Sequence, residues 1–402
     1  MTDQAFDVVV FGASGFTGRL VAEHLFARHG ASGGLRWAIA GRNSGKLERV
    51  RADLGALDLP IVTADVADVS SLEALARRAA VVISTVGPYQ HHGEGVLASC
   101  VASGTDYVDL CGEPHWMAAM IARYEEAARL SGARVVFSCG FDSIPFDCGV
   151  FHLQEDALAR FGQPARRVRC RVRRMEGTFS GGTAASMLAT LDAARHDGGV
   201  AATLANPFAL TGPGRGPAQP AGDRAMYEPD IPSWSAPFVM APINTKNVHR
   251  TNHLLGRRYG ADFVYDEMVM MGDGAAGERR ARRLVRKSRL YDRLLRLVPT
   301  RALLRRFVMP RPGQGPSEAQ RKAGIFDLLF LGETSDGHSV RASVTGDMDP
   351  GYGSTSKMTA ESALCLLAVG REVTPGGIWT PAAALGSALI AQLRAYAGVR
   401  FS

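Results

Sequence analysis

The stretch that decides the fold is residues 6–18, which read Phe-Asp-Val-Val-Val-Phe-Gly-Ala-Ser-Gly-Phe-Thr-Gly. The apolar, β-branched run at 7–11 is typical of a strand buried in a parallel sheet. Glycines follow at positions 12, 15 and 18, and a helical pattern begins at Leu20. Such a strand–turn–helix unit predicts a pyrophosphate site, because small residues allow close approach and the helix N-terminus favours negative charge.

The end of the second predicted strand, over 35–40, indicates which dinucleotide is bound. The spacing G-x-x-G-x-x-G departs from the commonest fingerprint, so the turn alone also fits simple packing of a helix on a sheet. An NAD site usually places an acid after the second strand, whereas this chain has Arg42 and Asn43, with Lys46 one turn later. A guanidinium binds a 2′-phosphate bidentately, so we predict NADP(H) rather than NAD(H); the alternative is a solvated Arg42.

Composition sets the class of protein. The chain has 402 residues, 46% of them apolar and 21% charged, which is ordinary for a globular protein of two domains. Its six cysteines are scattered without a C-x-x-C pair, so we expect neither a disulfide framework nor a metal site. The N-terminus lacks signal-peptide features and no apolar run is long enough to span a membrane. We therefore expect a cytoplasmic protein, with a peripheral position at the inner face of the plasma membrane as an open alternative.

The net charge of +7 is concentrated in one basic segment, residues 275–311. This segment carries thirteen Arg or Lys residues against two acids, so the remaining residues together carry −4. Apolar residues recur at helical spacing between the arginines of 279–308, and Pro299 interrupts them, which predicts two short amphipathic helices. The face is either solvated or meets anionic lipid or an acidic carrier protein. No recognition motif accompanies the charge, so we expect no nucleic-acid binding.

Strand and helix patterns alternate through residues 1–148, which predicts an α/β fold with a doubly wound parallel sheet. Ligands bind outside the carboxyl ends of such strands. We expect the cofactor to contact the residues that follow the predicted strands. These are Gly12, Ser14, Gly15, Phe16, Thr17, Gly18, Arg42, Asn43, Lys46, Asp65, Val66, Thr85, Val86, Gly87, Pro88, Asp109, Gly112 and Glu113.

The pattern changes after residue 148. Strand candidates over 149–350 follow one another with few helices between them, which favours a mainly antiparallel second sheet. Their ranges are 167–173, 238–241, 263–271, 325–333 and 338–345. The Pro- and Gly-rich stretch 207–237 is predicted to be a long loop. Helices are predicted at 356–369 and 381–396.

Nine stretches resemble the saccharopine dehydrogenase-like oxidoreductases, and most closely the actinobacterial trans-acting enoyl reductases among them. They are 11–18, 40–43, 85–89, 104–113, 138–145, 180–183, 241–245, 315–318 and 385–390. The resemblance implies an NADP-binding Rossmann domain over 1–148 and an α+β domain over 149–350. It also implies C-terminal helices in 351–402 that return to the first domain. The sheet of the second domain is a candidate for pairing across a two-fold axis, which would give a homodimer.

The similar enoyl reductases act on polyketide-derived lipid chains held by a synthase that lacks a working reductase. This resemblance implies an α,β-unsaturated thioester substrate on an acyl carrier protein. Its reduction requires hydride at the β carbon, an electrophile at the thioester oxygen and a proton at the α carbon. Two alternatives stay open: a saccharopine-type imine or amino-acid oxidoreductase, and a non-catalytic nucleotide-binding protein associated with lipid or membrane.

Three residues are candidates for catalysis. Tyr89 follows the fourth strand, where its phenol would serve as a proton donor or its ring would stack on the cofactor. Asp142 follows the last strand of the first domain, where it would orient the cofactor or a water, or form an Asx turn. Tyr352 lies in a glycine-rich stretch and would reach the cleft or belong to a simple turn. For Asp109 and Glu113, helix capping is the alternative to shaping the cofactor pocket.

Overall fold

Two sheets of seven strands organise the part of the chain that the structure describes. The structure is a computed structural model, and it describes residues 4–31, 33–177, 181–212, 214, 216–296 and 315–402. The first sheet is entirely parallel and the second is mixed. The predicted α/β class is therefore confirmed. The domain boundaries after residues 148 and 350 stay a prediction.

The first sheet has the strand order β13-β6-β5-β4-β1-β2-β3. Its strands are β1 (Phe6–Phe11), β2 (Trp37–Gly41), β3 (Ile61–Thr63), β4 (Ala79–Ser84), β5 (Asp106–Asp109), β6 (Arg134–Val136) and β13 (Gly377–Trp379). In β1, Val8 and Val10 belong to one apolar core while Val9 and Phe11 belong to another. Both faces of the strand are buried, which is why its sequence is continuously apolar.

Helices cover both faces of this sheet, as a doubly wound fold requires. They are α1 (Phe16–His29), α2 (Ser44–Asp53), α3 (Val69–Arg78), α4 (Tyr89–His92), α5 (Glu94–Ser103) and α6 (Pro114–Ser131). The strand order reverses at β1, which lies between β2 and β4. A ligand cleft is expected at that reversal, outside the carboxyl end of β1.

The second sheet has the order β14-β12-β11-β7-β10-β9-β8. Its strands are β7 (Ala165–Glu176), β8 (Met226–Glu228), β9 (Ser233–Pro237), β10 (Val264–Gly272), β11 (Ile325–Thr334), β12 (Ser339–Gly346) and β14 (Val399–Phe401). Neighbouring strands are antiparallel except β7 and β10, which pair in parallel. The expectation of a mainly antiparallel second sheet is confirmed.

The remaining helices connect the two sheets. They are α7 (Ile144–Phe161), α8 (Gly181–His196), α9 (Gly198–Ala205), α10 (Ala241–Leu254), α11 (Gly274–Arg296), α12 (Glu318–Ala323), α13 (Thr355–Ala368) and α14 (Pro381–Tyr396). Helix α13 packs on α1, β4 and β5, and Glu361 in α13 accepts a 2.6 Å bond from His24 of α1. Because β13 joins the first sheet and β14 the second, the C-terminal residues tie both sheets together. Their predicted return to the Rossmann domain is confirmed.

Two predictions for the second domain are wrong. The stretch 207–237 contains strands β8 and β9, which pair with each other, and β9 continues the sheet beside β10. These strands are short and lack apolar alternation. Pairing with neighbouring strands, and not their own sequence, therefore determines that they are strands. The residues predicted as a strand at 238–241 instead form a turn into α10, because Pro242 stands in the first turn of that helix, where proline is favoured.

The basic segment begins with one long helix, not with the first of two short helices as predicted. Helix α11 runs unbroken over 23 residues and packs against β9 and β10. The predicted second amphipathic helix and Pro299 lie outside the described residues. Among the helices that the structure describes, none is both long and apolar enough to cross a membrane.

Candidate active site

The glycine-rich turn after β1 is closely packed. A Cβ atom on Gly18 would lie 2.3 Å from the carbonyl oxygen of Gly12. Gly12 has φ +92°, and a Cβ there would lie 2.6 Å from Thr85 Oγ1 and 2.7 Å from Val86 Cγ2. Any side chain at either position would therefore push the turn away from the end of β4.

The open side of the turn fits a pyrophosphate. Ser14 and Gly15 are exposed, and Gly15 is the N-cap of α1 without any side chain that caps the helix. The N–H groups of the first turn, which include those of Phe16 and Thr17, point toward the position that a phosphate occupies in such folds. The turn thus combines close approach, free donors and a helix N-terminus.

Cationic side chains follow β2 on the same edge of the sheet. Arg42 is exposed, and among the described residues it forms no ion pair with a carboxylate. Lys46 is exposed one turn into α2, while the Asn43 side chain accepts a 2.9 Å bond from the Lys46 backbone N–H and so caps that helix. Arg42 and Lys46 are the residues that would hold a 2′-phosphate.

The ends of β3 and β4 complete the predicted cofactor groove. Asp65 and Val66 are partly exposed after β3, and Asp65 Oδ1 accepts a 3.1 Å bond from the Ala67 N–H. Thr85 and Val86 are partly exposed behind Gly12, followed by Gly87 and Pro88. The parallel sheet brings all of these residues to one edge, although they come from four separate stretches of sequence. Their contacts with the cofactor stay predictions.

Tyr89 does not present its hydroxyl to the groove. The Tyr89 hydroxyl donates to the Ser84 carbonyl at 3.0 Å and accepts from the Leu110 N–H at 3.3 Å, and the residue is only 4% exposed. Burial raises the pKa of the phenol well above its usual value. The ring packs against Trp116 with centroids 5.5 Å apart. This placement favours a role in holding the β4 and β5 ends together, not proton transfer.

Asp109 and Glu113 are fully buried and use their oxygens within the protein. Asp109 accepts bonds of 3.0 Å from the N–H groups of Cys111 and Ser138, and burial raises its pKa to about 7. Glu113 accepts from the backbone N–H of Tyr89 at 2.8 Å and of Gln90 at 2.9 Å. Glu113 therefore caps α4, and not the helix that follows it in sequence.

Asp142 differs from these carboxylates. Its side chain is partly exposed and makes no hydrogen bond to any residue that the structure describes, so the expected alternative of an Asx turn is not seen. Its Oδ2 atom lies 3.7 Å from the position a Cβ would take on Gly112. Burial raises the pKa of Asp142 to about 6. An unpartnered carboxyl with this pKa beside the end of β5 is suited to donate a proton at neutral pH.

Tyr352 contacts the glycine-rich turn. It lies in a π-helical turn, Pro350–Ser354, that Asp349 caps through the N–H groups of Tyr352 and Gly353. Its ring meets the Phe16 ring edge-on, with centroids 4.6 Å apart, and the residue is 2% exposed. Tyr352 thus packs beside the turn where the pyrophosphate is predicted to bind. Its catalytic role stays a prediction.

The second domain adds polar residues that the sequence did not single out. Asn247 in α10 donates to Ser143 Oγ, and Ser143 Oγ donates to the Asp142 carbonyl at 2.7 Å. One turn earlier, Asn244 donates to Glu267 at 2.9 Å, and burial raises the pKa of Glu267 to about 8. From the sequence alone, polar residues on a helix such as α10 would be expected on its solvent-exposed face. Of these residues only Asn244 falls in a stretch that carries the resemblance, 241–245.

Fold and site together define an oxidoreductase with an NADP(H)-binding Rossmann domain: residues 8–136 match the family model of the saccharopine dehydrogenase NADP-binding domain. A protein of Mycobacterium tuberculosis named as a trans-acting enoyl reductase is 40% identical over 426 aligned residues, covering 99% of this chain and 97% of that protein. A trans-acting enoyl reductase of Mycobacterium bovis is 35% identical and covers 97% and 96%, respectively. The chain therefore belongs to the saccharopine dehydrogenase-like family that contains these enoyl reductases.

Among solved structures, the apo form of saccharopine dehydrogenase (L-Glu forming) from Saccharomyces cerevisiae has the same fold. The TM-score is 0.53 at 13% identity, and 99% of each chain is covered. This identity supports a shared architecture and nothing about the substrate.

Proposed function

We propose that this protein is an NADPH-dependent enoyl reductase that acts in trans on an α,β-unsaturated thioester carried by a polyketide or lipid synthase. The observation that carries the proposal is the similarity to trans-acting enoyl reductases over nearly the whole chain, at 40% identity. The shared length includes the second domain, which supplies the substrate side of the cleft in this architecture. A likeness confined to the Rossmann domain would have supported only the cofactor.

The residues divide the chemistry between them. The glycine-rich turn and Arg42 bind the cofactor, which supplies hydride when bound. Asp142 in its acid form donates a proton to the α carbon of the substrate after the β carbon has been reduced. Burial keeps a useful fraction of Asp142 protonated near neutral pH, since it raises the pKa of this carboxyl to about 6. Asn247 and Ser143 fix the backbone at Asp142.

The wall of the cleft next to β4 supports an apolar substrate over the amino-acid alternative. Helix α8 approaches Gly87, where Ser186 Oγ lies 3.9 Å from the position of a Cβ. This helix carries no Lys or Arg until Arg195 in its last turn. Met187 and Leu188 in the same helix are partly exposed. A pocket for a saccharopine-like compound would need cations for several carboxylates.

An NADPH-oxidation assay with a short enoyl thioester tests the proposal. We expect NADPH to be consumed and the saturated thioester to appear in equal amount by mass spectrometry. The matched saturated thioester is the control and should cause no oxidation. Faster oxidation with a 2-oxo acid and an amine would favour the imine alternative. No oxidation with any substrate, while NADPH still binds in calorimetry, would overturn enoyl reduction and leave the cofactor assignment intact.

The partner surface that we assign is the basic face of α11, with Arg282, Arg286 and Arg289. Arg224, which precedes β8, lines the same patch. Charge complementarity favours an acidic carrier protein as its partner. Beside the patch, Leu290 is 57% exposed, which suits either a protein or a membrane surface.

Charge reversal at Arg282, Arg286 and Arg289 tests this docking surface. Turnover of a carrier-bound substrate should fall about tenfold while turnover of the free thioester is unchanged, because long-range attraction acts on the carrier alone. Equal turnover of carrier-bound substrate would contradict the assignment. Flotation of the wild-type chain with anionic vesicles at low salt would instead favour the membrane. Sedimentation of the same samples tests the proposed homodimer.

A further inference from the structure

Phe16, at the start of α1, is enclosed by residues that lie about 300 positions away in sequence. The Tyr352 ring meets it edge-on at 4.6 Å. The backbone of Gly315 is so close that a Cβ there would lie 2.4 Å from the Phe16 ring. The guanidinium carbon of Arg321 lies 5.8 Å from the ring centroid. Segment 315–321 therefore sits directly against the turn that receives the pyrophosphate.

Backbone hydrogen bonds hold Arg321 in place, and most N–H donors of its guanidinium have no partner among the described residues. Helix α12 begins with a capping box between Ser317 and Gln320, and the Arg321 carbonyl accepts a 2.9 Å bond from the Asp349 N–H. Its Nη1 donates to the Pro316 carbonyl at 3.0 Å. The side chain is partly exposed, and it forms no salt bridge with a carboxylate in the ranges that the structure covers.

The charge of Arg321 acts on two nearby acids, Asp349 and Glu318. The positive charge of Arg321 opposes the rise in the Asp349 pKa that burial causes. The Asp349 carboxylate already accepts from the N–H groups of Tyr352 and Gly353 at 3.0 and 2.9 Å. Arg321 is therefore a fixed cation beside an anion-binding turn without an ion-pair partner of its own, which is the arrangement expected of a phosphate ligand.

We infer that Arg321 is a second cationic contact for the dinucleotide and recognises its pyrophosphate, while Arg42 recognises the 2′-phosphate. This inference rests on the proposed cofactor site but not on the proposed substrate. The pyrophosphate is common to NADPH and NADH, whereas the 2′-phosphate is present only in NADPH. The two arginines therefore have separable effects on affinity.

Calorimetric dissociation constants for NADPH and NADH, measured on the full chain, separate the two roles. Arg321→Gln should weaken both nucleotides by the same factor, about tenfold or more, because charge-assisted bonds to one shared group are lost. Arg42→Gln should weaken NADPH alone. The matched control is Lys322→Gln, one residue further on, where the side chain is 67% exposed and pairs with Glu318 at 2.7 Å. This control should change neither constant.

Arg321→Lys keeps the charge and loses the planar fork, so it should fall between wild type and Arg321→Gln, and it replaces that variant if thermal melting shows misfolding. Unchanged constants in a folded Arg321 variant would overturn the inference. So would weakening of NADPH without NADH, since Arg321 would then be a 2′-phosphate ligand. Failure of the wild-type chain to bind NADPH would overturn the cofactor site itself, an outcome distinct from both.

Discussion

The carboxylate of Glu113 and the backbone N–H of Tyr89 form a buried 2.8 Å hydrogen bond. The same carboxylate accepts from Gln90, so one side chain satisfies two N–H groups at the start of α4. Helix α4 follows directly on the predicted cofactor residues Gly87 and Pro88. The bond thus links the end of β5 to the loop that leaves β4.

Glu113→Ala should destabilise the protein, because one buried and one partly buried N–H group lose their acceptor. We expect the free energy of unfolding in urea to fall by about 2–4 kcal/mol, as is usual for unsatisfied buried donors to a charged group. Glu126→Ala, at an exposed position in α6, is the matched control and should change stability by less than about 0.5 kcal/mol. Equal stability of the two variants would show that Glu113 does not cap α4.

Asp142→Asn should abolish the alkaline limb of the pH–rate profile, the fall in kcat at high pH. The pKa of Asp142 is about 6, so wild-type kcat for enoyl reduction should decline as the pH rises above that value, since the acid form is the donor. The isosteric variant should lose about 100-fold or more in kcat, the usual range for a general acid. The NADPH dissociation constant, measured separately, should stay within about threefold of wild type. This change is well below the tenfold that corresponds to about 1.4 kcal/mol of binding free energy. A variant with unchanged kcat and profile would exclude Asp142 as the proton donor.

Gly18→Ala should weaken cofactor binding. The added Cβ would lie 2.3 Å from the Gly12 carbonyl oxygen, a backbone atom that cannot move without opening the turn. We expect NADPH affinity to fall at least about tenfold, or 1.4 kcal/mol, in fluorescence titration. Gly198→Ala is the control, since a Cβ there would meet nothing within 4 Å. If both variants bind NADPH like wild type, the turn is not the pyrophosphate site.

Glu267 should make stability depend on pH. Burial raises its pKa from 4.5 to about 8, so the folded state holds its proton more tightly than the unfolded state. This contribution to stability is complete below about pH 4.5 and is lost as the pH rises through about 8. Glu267→Gln should therefore lose less stability than wild type between about pH 5 and about pH 8, with a difference of the order of a few kcal/mol in urea unfolding. Asp109 and Asp147 also have raised pKa values, but their contributions to the pH dependence are the same in wild type and Glu267→Gln and cancel in the difference. Parallel pH curves would contradict the prediction.

The sequence by itself determined what depends on near neighbours. The run at 6–11 followed by glycines specified β1, its turn and α1, because strand burial, turn geometry and helix initiation are all read from a few adjacent residues. The NADP(H) cofactor followed from the same logic, and the family model over 8–136 agrees with it. Short strands β8 and β9 were missed because only pairing with β10 makes them strands.

Only the tertiary structure decided which polar residues face the cleft. Asp109, Glu113 and Asp142 follow strands in the same way, yet the first two are buried against backbone donors and the third is partly exposed. The contact between Phe16 and Arg321 could not be predicted from the sequence either, since it joins residues separated by most of the chain. Burial and hydrogen bonding of a side chain depend on elements that arrive from elsewhere in the fold, and no local pattern records them.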